Sequence, residues 1–318
     1  MELIRGLQNL RSRHRGCVAT LGNFDGVHLG HQAVIGQLAE KGATLHLPTV
    51  LVLFEPQPQE YFQPGSALAR LSRLREKFKA LQRYSVDRVL CLRFDAHLAS
   101  MPAEEFIQRV LVDGLGVQYL VVGDDFRFGK NRTGDYAMLE AAGARHGFQA
   151  VPMHTFTIDG ERVSSTRVRK ALAAGDLATA EKLLGRPYRM CGRVAHGDQR
   201  GRTIGIPTAN IHLHRQATPV RGVYVVEMFG LEREPLVGVA NVGNRPTVDG
   251  TRTLLEVHLF DFNQEIYGRY VSIDFLHRLR DEQRFASFDE LKTRINQDMD
   301  EARAWLRARF DTLAREHE

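Results

Sequence analysis

The sequence has few cysteines and no long apolar run. Only three cysteines occur among 318 residues, Cys17, Cys91 and Cys191, and each lies among apolar neighbours. Isolated thiols of this kind predict buried, reduced side chains in a reducing compartment, and we therefore expect a cytoplasmic protein. No segment has the roughly 20 consecutive apolar residues of a membrane-spanning helix, and residues 1–5 do not start an apolar run of signal-peptide length. We expect no membrane association.

A long basic tract is also missing, although the chain is basic overall. The formal charge is +5, from 43 Lys and Arg against 38 Asp and Glu. A basic balance suits nucleic acid, but it suits anionic small molecules such as ATP equally well. Because no platform of basic and aromatic residues is present, we expect small-molecule substrates and no nucleic acid. No large apolar stripe demands a partner, so we expect a monomer or a weak oligomer.

Apolar strand-like runs alternate with helical patterns in the first part of the chain. Four runs are predicted strands: 17–21, 49–54, 89–92 and 119–122. Continuous apolar strands that alternate with helices predict a parallel sheet covered on both faces. Such sheets bind ligands at the carboxyl ends of their strands. We therefore expect a Rossmann-like domain over residues 1–186.

The pattern changes after residue 186, where strand-like runs follow each other closely. Five runs are predicted strands: 189–194, 222–228, 236–242, 254–259 and 270–275. Short strands at close spacing predict an antiparallel barrel. Apolar residues at helical spacing over 288–309 predict a closing helix. We expect this second domain to cover residues 187–318.

A loop rich in glycine joins the first predicted strand to a predicted helix over about 31–40. It reads Gly22-Asn23-Phe24-Asp25-Gly26-Val27-His28-Leu29-Gly30-His31. A helix N-terminus offers free N–H groups and a positive dipole end to an anion. His28 and His31 can donate hydrogen bonds to phosphate oxygens as charge grows on them. We expect a nucleotide phosphate site that Gly22, Asn23, Phe24 and Gly30 also line; a tight turn with two surface histidines is the alternative.

A second cluster, Arg162-Val163-Ser164-Ser165-Thr166-Arg167-Val168-Arg169, precedes another predicted helix. Guanidinium groups and hydroxyls suit polyphosphate oxygens. Taken alone, the segment is more typical of a helix cap with a basic face. Together with the histidine loop, it favours phosphate binding.

In the second domain, a glycine-rich loop over residues 197–210 follows the first predicted strand and ends in Gly205-Ile206-Pro207-Thr208-Ala209-Asn210. Glycines such as Gly201 and Gly205 allow a backbone that cradles phosphate. The Thr208 hydroxyl and the Asn210 carbonyl are hard ligands of the kind that Mg²⁺ takes. No Walker-type Gly-Lys-Thr occurs, so this is not a P-loop kinase. Phosphoryl transfer to an alcohol also needs a carboxylate, and Glu256 is a candidate. Strand alternation predicts that it lies on the same face as His258 and opposite Leu255 and Val257, although a lone strand glutamate is more often just polar surface.

Several motifs of the first domain are similar to a known family. They are the histidine loop, the stretch 164–169, Phe54-Glu55-Pro56-Gln57-Pro58 and the run 122–129. Together they resemble the nucleotidyltransferase half of bacterial bifunctional riboflavin kinase/FAD synthetases. The resemblance implies that His28, His31 and Arg169 act on ATP phosphates and that Arg162, Ser165 and Thr166 bind the triphosphate. It places Asp125 and Phe126 where adenine and flavin meet.

The second domain resembles the riboflavin kinase module of the same family. The matching segments are 205–210, 222–224, 238–247, 256–261 and 275–285. The resemblance implies that Thr208 and Asn210 hold Mg²⁺ with ATP and that Gly201, Gly205 and Pro207 line the nucleotide. It makes Glu256 the general base on the ribityl hydroxyl and places Arg280 and Phe285 over the flavin.

The predicted function is a two-step synthesis of flavin cofactors. Riboflavin and ATP give FMN, and FMN and a second ATP give FAD and pyrophosphate. Two alternatives remain open at this point. The histidine loop also resembles that of class I aminoacyl-tRNA synthetases, although their Lys-Met-Ser-Lys-Ser loop is missing. An inactive flavin-binding descendant is the other, and the joint presence of His28, His31, Thr208, Asn210 and Glu256 speaks against it.

Overall fold

The chain divides into two compact units. A computed structural model describes residues 1–64, 69–123, 125–153, 155–196, 206–215, 217–247 and 250–316, without the side chains of 244–252 and 313–316. The sheet unit consists of Met1–Leu68 and Ser72–Ser165, and the barrel unit consists of Ala69–Leu71 and Thr166–Glu318.

The sheet unit is built on a six-stranded sheet in which all neighbouring strands are parallel. Its strands are β1 (Glu2–Arg5), β2 (Cys17–Leu21), β3 (Thr49–Glu55), β4 (Arg88–Arg93), β5 (Val117–Gly123) and β6 (Gln149–Met153). Their order is β1-β4-β3-β2-β5-β6. The prediction of a parallel sheet is therefore confirmed, and β1 and β6 are two edge strands that the sequence pattern missed.

Both faces of this sheet are buried, because successive side chains of a strand point to opposite faces. In β5, Tyr119 and Val121 belong to one apolar core, whereas Leu120 and Val122 belong to the other. Helices and one short hairpin surround the sheet. They are α1 (Leu29–Leu45), α2 (Pro58–Phe62), α3 (Leu74–Leu81), α4 (Ala96–Ser100), α5 (Ala103–Phe106) continued by a π-helix (Ile107–Leu115), α6 (Tyr136–His146), and β7 (Thr157–Ile158) with β8 (Glu161–Arg162).

The barrel unit is a closed antiparallel barrel with the strand order β10-β13-β12-β11-β14-β9. Its elements are α7 (Ser165–Ala174), which starts on the last residue of the sheet unit, α8 (Leu177–Leu184), β9 (Tyr188–Ala195), β10 (Ala209–His212), β11 (Gly222–Phe229), β12 (Leu236–Thr247), β13 (Gly250–Leu259), β14 (Tyr270–Arg280) and α9 (Phe288–Glu316). The predicted barrel and closing helix are confirmed.

Helix α9 covers one side of the barrel. Its Ala302 and Leu306 are buried against Val225, Val239 and Leu276 of the strands. The ring of Trp305 stacks on His277, with 5.1 Å between the ring centroids. Apolar side chains at helical spacing thus bind the helix to the outside of a barrel that is already closed.

The boundary between the two units lies at Ser165 and Thr166, whereas the expected boundary between functional domains, at residues 186 and 187, stays a prediction. Helix α8 packs on β9 and β14, and it buries Leu177, Leu183 and Leu184. An apolar helix face does not by itself say which neighbour will cover it.

Candidate active sites

The loop between β2 and α1 has an unusual backbone. Phe24 and Val27 both have φ 47°, and Gly26 has φ 82°. A β-branched residue rarely adopts this left-handed region, because its side chain then meets the backbone. Both Phe24 and Val27 are buried. Strained backbone of this kind persists only where the surroundings hold it, and it is common at functional sites.

The buried carboxylate of Asp25 holds this loop. Its Oδ1 accepts hydrogen bonds from the backbone N–H of Ser72 at 2.9 Å and from the Ser72 hydroxyl at 3.2 Å. The Gly26 N–H donates to Ser72 Oγ at 2.9 Å. On the other side, the Ser165 hydroxyl donates to the Asp25 carbonyl oxygen at 2.9 Å. Ser165, expected at the triphosphate, therefore lies against the histidine loop.

His28 is the N-cap of α1, and its Nδ1 accepts the N–H of His31 at 3.3 Å. An acceptor at Nδ1 leaves the proton of the neutral ring on Nε2, which is then a donor. The rings of His28 and His31 stack with 3.6 Å between centroids. A Cβ on Gly30 would lie 3.2 Å from His28 Nδ1 and 3.3 Å from the Val163 carbonyl oxygen. Glycine at position 30 thus makes room for the His28 ring.

Burial lowers the pKa of His31 well below its usual value of 6.5, and the charges of His28 and Lys77 act in the same direction. The ring is therefore neutral at pH 7 and can donate only one hydrogen bond. Phe24 packs against it with 4.7 Å between ring centroids. The two predicted histidines and Phe24 are thus brought together in one stack.

Lys77 is a residue of this site that the sequence analysis missed. It lies on α3 with only 1% of its surface exposed, and its Nζ donates to the Asn23 carbonyl oxygen. A buried ammonium group is rare unless it has polar partners. The sequence pattern could have indicated its burial, because Lys77 lies at helical spacing between Leu74 and Leu81, on the face that meets the core.

Arg162 and Asp125 form a bidentate ion pair. Arg162 Nη1 and Nη2 donate to the two carboxylate oxygens at 2.9 and 3.1 Å. Hydrogen bonding from Arg162 lowers the pKa of Asp125. The next residue, Phe126, stacks on Phe128 with 5.6 Å between ring centroids. The predicted flavin loop and the first arginine of the predicted triphosphate segment are therefore in direct contact.

Thr166 and Arg169 belong to the barrel unit. Thr166 is exposed, and Arg169 Nε donates to the Ala69 carbonyl oxygen at 2.8 Å. Arg169, expected at the triphosphate, thus also holds a backbone carbonyl group.

In the barrel, strand register brings Glu256 beside two asparagines. Glu256 on β13 pairs with Asn210 on β10 and with Asn241 on β12. Residues directly opposite each other on neighbouring strands share a face. Leu255 and Val257 are buried, so Glu256 lies on the opposite, outer face of the barrel wall. The structure confirms the predicted alternation and adds Asn241 to the candidate site.

The segment before β10 is joined to β13 by a side chain. His258 Nδ1 lies 2.8 Å from the Pro207 carbonyl oxygen, so this nitrogen carries the proton and donates it. Thr208 is exposed. The predicted nucleotide residues Gly201 and Gly205 lie outside the described residues.

Arg280 of β14 is held by α9. Its Nε and Nη2 donate to the Asp298 carboxylate at 2.9 and 2.7 Å, and Arg294 adds an ion pair to the same carboxylate at 3.0 Å. Asp298 is 2% exposed. The Arg280 guanidinium also lies 5.7 Å from the centroid of the Phe285 ring. The two predicted flavin residues are therefore adjacent, and Arg280 also ties strand to helix.

The three free thiols of Cys17, Cys91 and Cys191 are buried, as predicted. Burial raises the pKa of Cys17 to about 12, so this thiol stays protonated and inert.

Comparison with protein families assigns the two halves of the chain separately. Residues 10–167 match the FAD synthetase family and residues 184–306 match the riboflavin kinase family. A bifunctional riboflavin kinase/FMN adenylyltransferase of Haemophilus influenzae is 51% identical over 96% of this chain and 99% of its own length. The protein of the same name from Escherichia coli is 53% identical over 94% of this chain and 96% of its own length.

A solved structure has the same fold under a different description. It is titled a macrolide-efflux protein from Streptococcus pneumoniae, is 32% identical, and superposes with a TM-score of 0.82 over 96% of this chain and all of its own. Among the described residues of this chain, no helix has the length and apolar character needed to cross a bilayer. Two family matches and relatives at over half identity agree with each other. The chain therefore belongs to the family of bifunctional riboflavin kinases/FMN adenylyltransferases.

Proposed function

We propose that the sheet unit adenylylates FMN and that the barrel phosphorylates riboflavin. The chain is a transferase that makes FMN from riboflavin and ATP and then makes FAD with release of pyrophosphate. The separate family matches of residues 10–167 and 184–306 carry this assignment. The functional domains that we propose are residues 1–186 and 187–318. This boundary lies close to residue 184, where the riboflavin kinase match begins.

Adenylylation is a displacement at the α-phosphate of ATP. An oxygen of the FMN phosphate forms a bond to this phosphorus while the bond to the oxygen that bridges to the β-phosphate breaks. Negative charge grows on the leaving pyrophosphate and on the oxygens of the α-phosphate. His28 and His31 donate N–H groups to these oxygens, and Gly22, Asn23, Phe24 and Gly30 shape the loop around them.

The charge for the triphosphate comes from the arginines. Arg162 and Arg169, with Thr166, bind phosphate oxygens, and Asp125 fixes the plane of the Arg162 guanidinium by the bidentate pair. Ser165 supports the loop through its hydrogen bond to the Asp25 carbonyl oxygen. Phe126 offers an aromatic face to the flavin or the adenine.

Phosphorylation joins the terminal ribityl hydroxyl of riboflavin to the γ-phosphate of ATP, and ADP leaves. Glu256 accepts the hydroxyl proton as the new P–O bond forms. The pairing of Asn210, Glu256 and Asn241 across three strands supports this role, because it places a carboxylate among amide groups that can orient it. Gly201, Gly205 and Pro207 line the nucleotide, and Arg280 and Phe285 cover the flavin.

Thr208 and Asn210 fit a magnesium ion. Both offer neutral oxygen ligands, and Asn210 lies opposite the carboxylate of Glu256. Mg²⁺ takes few protein ligands beside nucleotide phosphates and water. When bound, it neutralises phosphate charge.

The enzyme works on small molecules, in the cytoplasm, as a monomer or a weak oligomer, and not on nucleic acid. Three buried free thiols support a reducing compartment.

Two substitutions test the assignment of activities to sites. His31→Ala should abolish FAD formation from FMN, while riboflavin phosphorylation continues. Glu256→Gln should stop FMN formation, while FAD formation from added FMN continues. Chromatography of riboflavin, FMN and FAD after incubation with MgATP measures both. His146→Ala and Glu265→Gln, each an exposed residue of the matching unit, are the controls. Loss of both activities in either variant, with the protein still folded, would refute the assignment.

A further inference from the structure

The stretch Ala69–Ser72 passes from one unit into the other. Ala69, Arg70 and Leu71 belong to the barrel unit, and Ser72 belongs to the sheet unit. Leu71 and Ser72 are buried. Each of the four residues has a backbone group bonded to a side chain, and the partners differ on the two sides of the Leu71–Ser72 peptide bond.

On the barrel side, three successive carbonyl oxygens accept hydrogen bonds from side chains. Ala69 accepts from Arg169 Nε at 2.8 Å, and Arg70 accepts from Arg215 Nη1 at 2.8 Å. Leu71 accepts from the Tyr188 hydroxyl at 3.1 Å. The Tyr188 hydroxyl in turn accepts from Arg215 Nη1 at 3.0 Å.

Tyr188 and Arg215 are both buried, with 3% and 8% of their surface exposed. A buried guanidinium or phenol group is stable only where its polar atoms are bonded. The hydrogen-bond partners of both side chains include carbonyl oxygens of this stretch. Arg215 and Tyr188 therefore fix the path of residues 70 and 71.

On the sheet side, Ser72 holds the loop that precedes His28. Its N–H and hydroxyl bind Asp25 Oδ1, and its Oγ accepts the N–H of Gly26. Phe24, Gly26 and Val27 have left-handed φ angles, so this loop depends on external bonds to keep its shape. A shift of Ser72 would weaken all three of these bonds at once.

We propose that Tyr188 and Arg215, two residues of the barrel unit, are positioning residues for FMN adenylylation. They act through the covalent stretch Ala69–Ser72 and the hydrogen bonds of Ser72 to Asp25 and Gly26, and so set the loop that carries His28 and His31. The inference rests on the proposed function of the sheet unit. It assigns these two residues no role in riboflavin phosphorylation.

The test compares Tyr188→Phe with Tyr224→Phe, two substitutions that each remove only a hydroxyl group. Tyr224 matches Tyr188 in burial, and both rings contact Phe275. The Tyr224 hydroxyl, however, donates to the Arg221 carbonyl oxygen at 2.7 Å, within the barrel. In the full chain, Tyr188→Phe should lower kcat for FMN adenylylation by about fivefold, the effect of one lost hydrogen bond. KM for FMN and the rate of riboflavin phosphorylation should stay at the wild-type value. Tyr224→Phe should leave adenylylation unchanged.

Two further measurements separate this link from general destabilisation. Ser72→Ala should lower adenylylation as well, Ser72→Thr should restore it, and Tyr188→Phe should add nothing to Ser72→Ala, since both act on one path. Hydrogen exchange at the Gly26 and Ser72 amides should quicken in Tyr188→Phe and not in Tyr224→Phe.

Equal adenylylation by Tyr188→Phe and Tyr224→Phe, parallel loss of both activities, or additive effects of Tyr188→Phe and Ser72→Ala would each overturn the proposal. Unchanged exchange at Gly26 and Ser72 would also overturn it. A wild-type chain that makes no FAD from FMN and ATP would instead refute the proposed function, and this result is visible before any variant is made.

Discussion

At the scale of single residues, packing decides the charge of His31. His28 Nδ1 accepts a hydrogen bond from the N–H of His31, and burial keeps the His31 ring neutral. Among the described residues, His31 Nδ1 has no hydrogen-bond partner. A neutral imidazole ring can still donate a hydrogen bond to a phosphate oxygen, because one of its two nitrogens carries a proton. The same burial has a measurable consequence for folding.

Folding should weaken in acid because of His31. Its pKa is depressed in the folded chain and returns to about 6.5 in the unfolded chain. Below that pH the unfolded state binds more protons, so the free energy of unfolding should fall as the pH falls from about 6.5 toward the folded-state pKa. Urea titrations of wild type and His31→Gln at several pH values measure this. A fall of equal size in both proteins would contradict the role of His31.

The sequence predicted the residues of the loop but not the residues that hold it. His28, His31 and Phe24 are close in the chain and carry a local pattern. Asp25 and Ser72 form hydrogen bonds although they are 47 residues apart in the chain, and no local sequence pattern predicts such a bond. For Lys77, the sequence pattern predicts a position on the apolar face of a helix, but it does not predict the contact with Asn23.

At the scale of elements, strand alternation correctly predicted the face of the barrel wall on which Glu256 lies. The spacing of Leu255, Glu256 and Val257 already placed the carboxylate on the face opposite the core, and the structure agrees. Strand β10 was missed because it has only four residues, Ala209–His212, which follow a glycine-rich loop. Its pairing with β13 brings Asn210 to Glu256. The sequence of a single strand does not predict which distant strand it will pair with.

The junction between β14 and α9 makes a prediction of its own. Asp298 is buried and accepts hydrogen bonds from Arg280. Removing one partner of a buried pair leaves an uncompensated charge, so Asp298→Ala should lower the free energy of unfolding by about 3 kcal/mol. The exposed pair of Arg303 and Asp261 is the control. Asp261 has φ 54°, which asparagine also tolerates, so Asp261→Asn should leave stability nearly unchanged. Urea denaturation measures both, and equal effects would refute the structural role of Asp298.

At the scale of the whole molecule, the fold class and its order along the chain could be predicted from the sequence, whereas the packing partners of α7 and α8 could not. Periodicity distinguishes a parallel sheet from a barrel. Most of α7 and α8 lies between the family matches, and the strands that α8 packs on are distant in sequence from one another. The contacts of α8 with β9 and β14 place it with the barrel.

Two fragments test this placement. A fragment of residues 166–318 keeps α7 and α8, and a fragment of 187–318 lacks both. Leu183 and Leu184 are fully buried, and each buried leucine contributes about 1.5–3 kcal/mol. The longer fragment should therefore be more stable in urea by at least about 3 kcal/mol. Equal urea midpoints and slopes for the two fragments would place the helices outside the folding unit of the barrel.

The central claim is that one chain carries two chemically independent sites, and a complementation assay tests it most directly. His31→Ala and Glu256→Gln are incubated separately and together with riboflavin and MgATP, and FAD is measured by chromatography. We expect no FAD from Glu256→Gln alone, only FMN from His31→Ala alone, and FAD from the mixture, since FMN made by one variant is adenylylated by the other. FAD formation by either variant alone, or none from a mixture of two folded variants, would contradict the account.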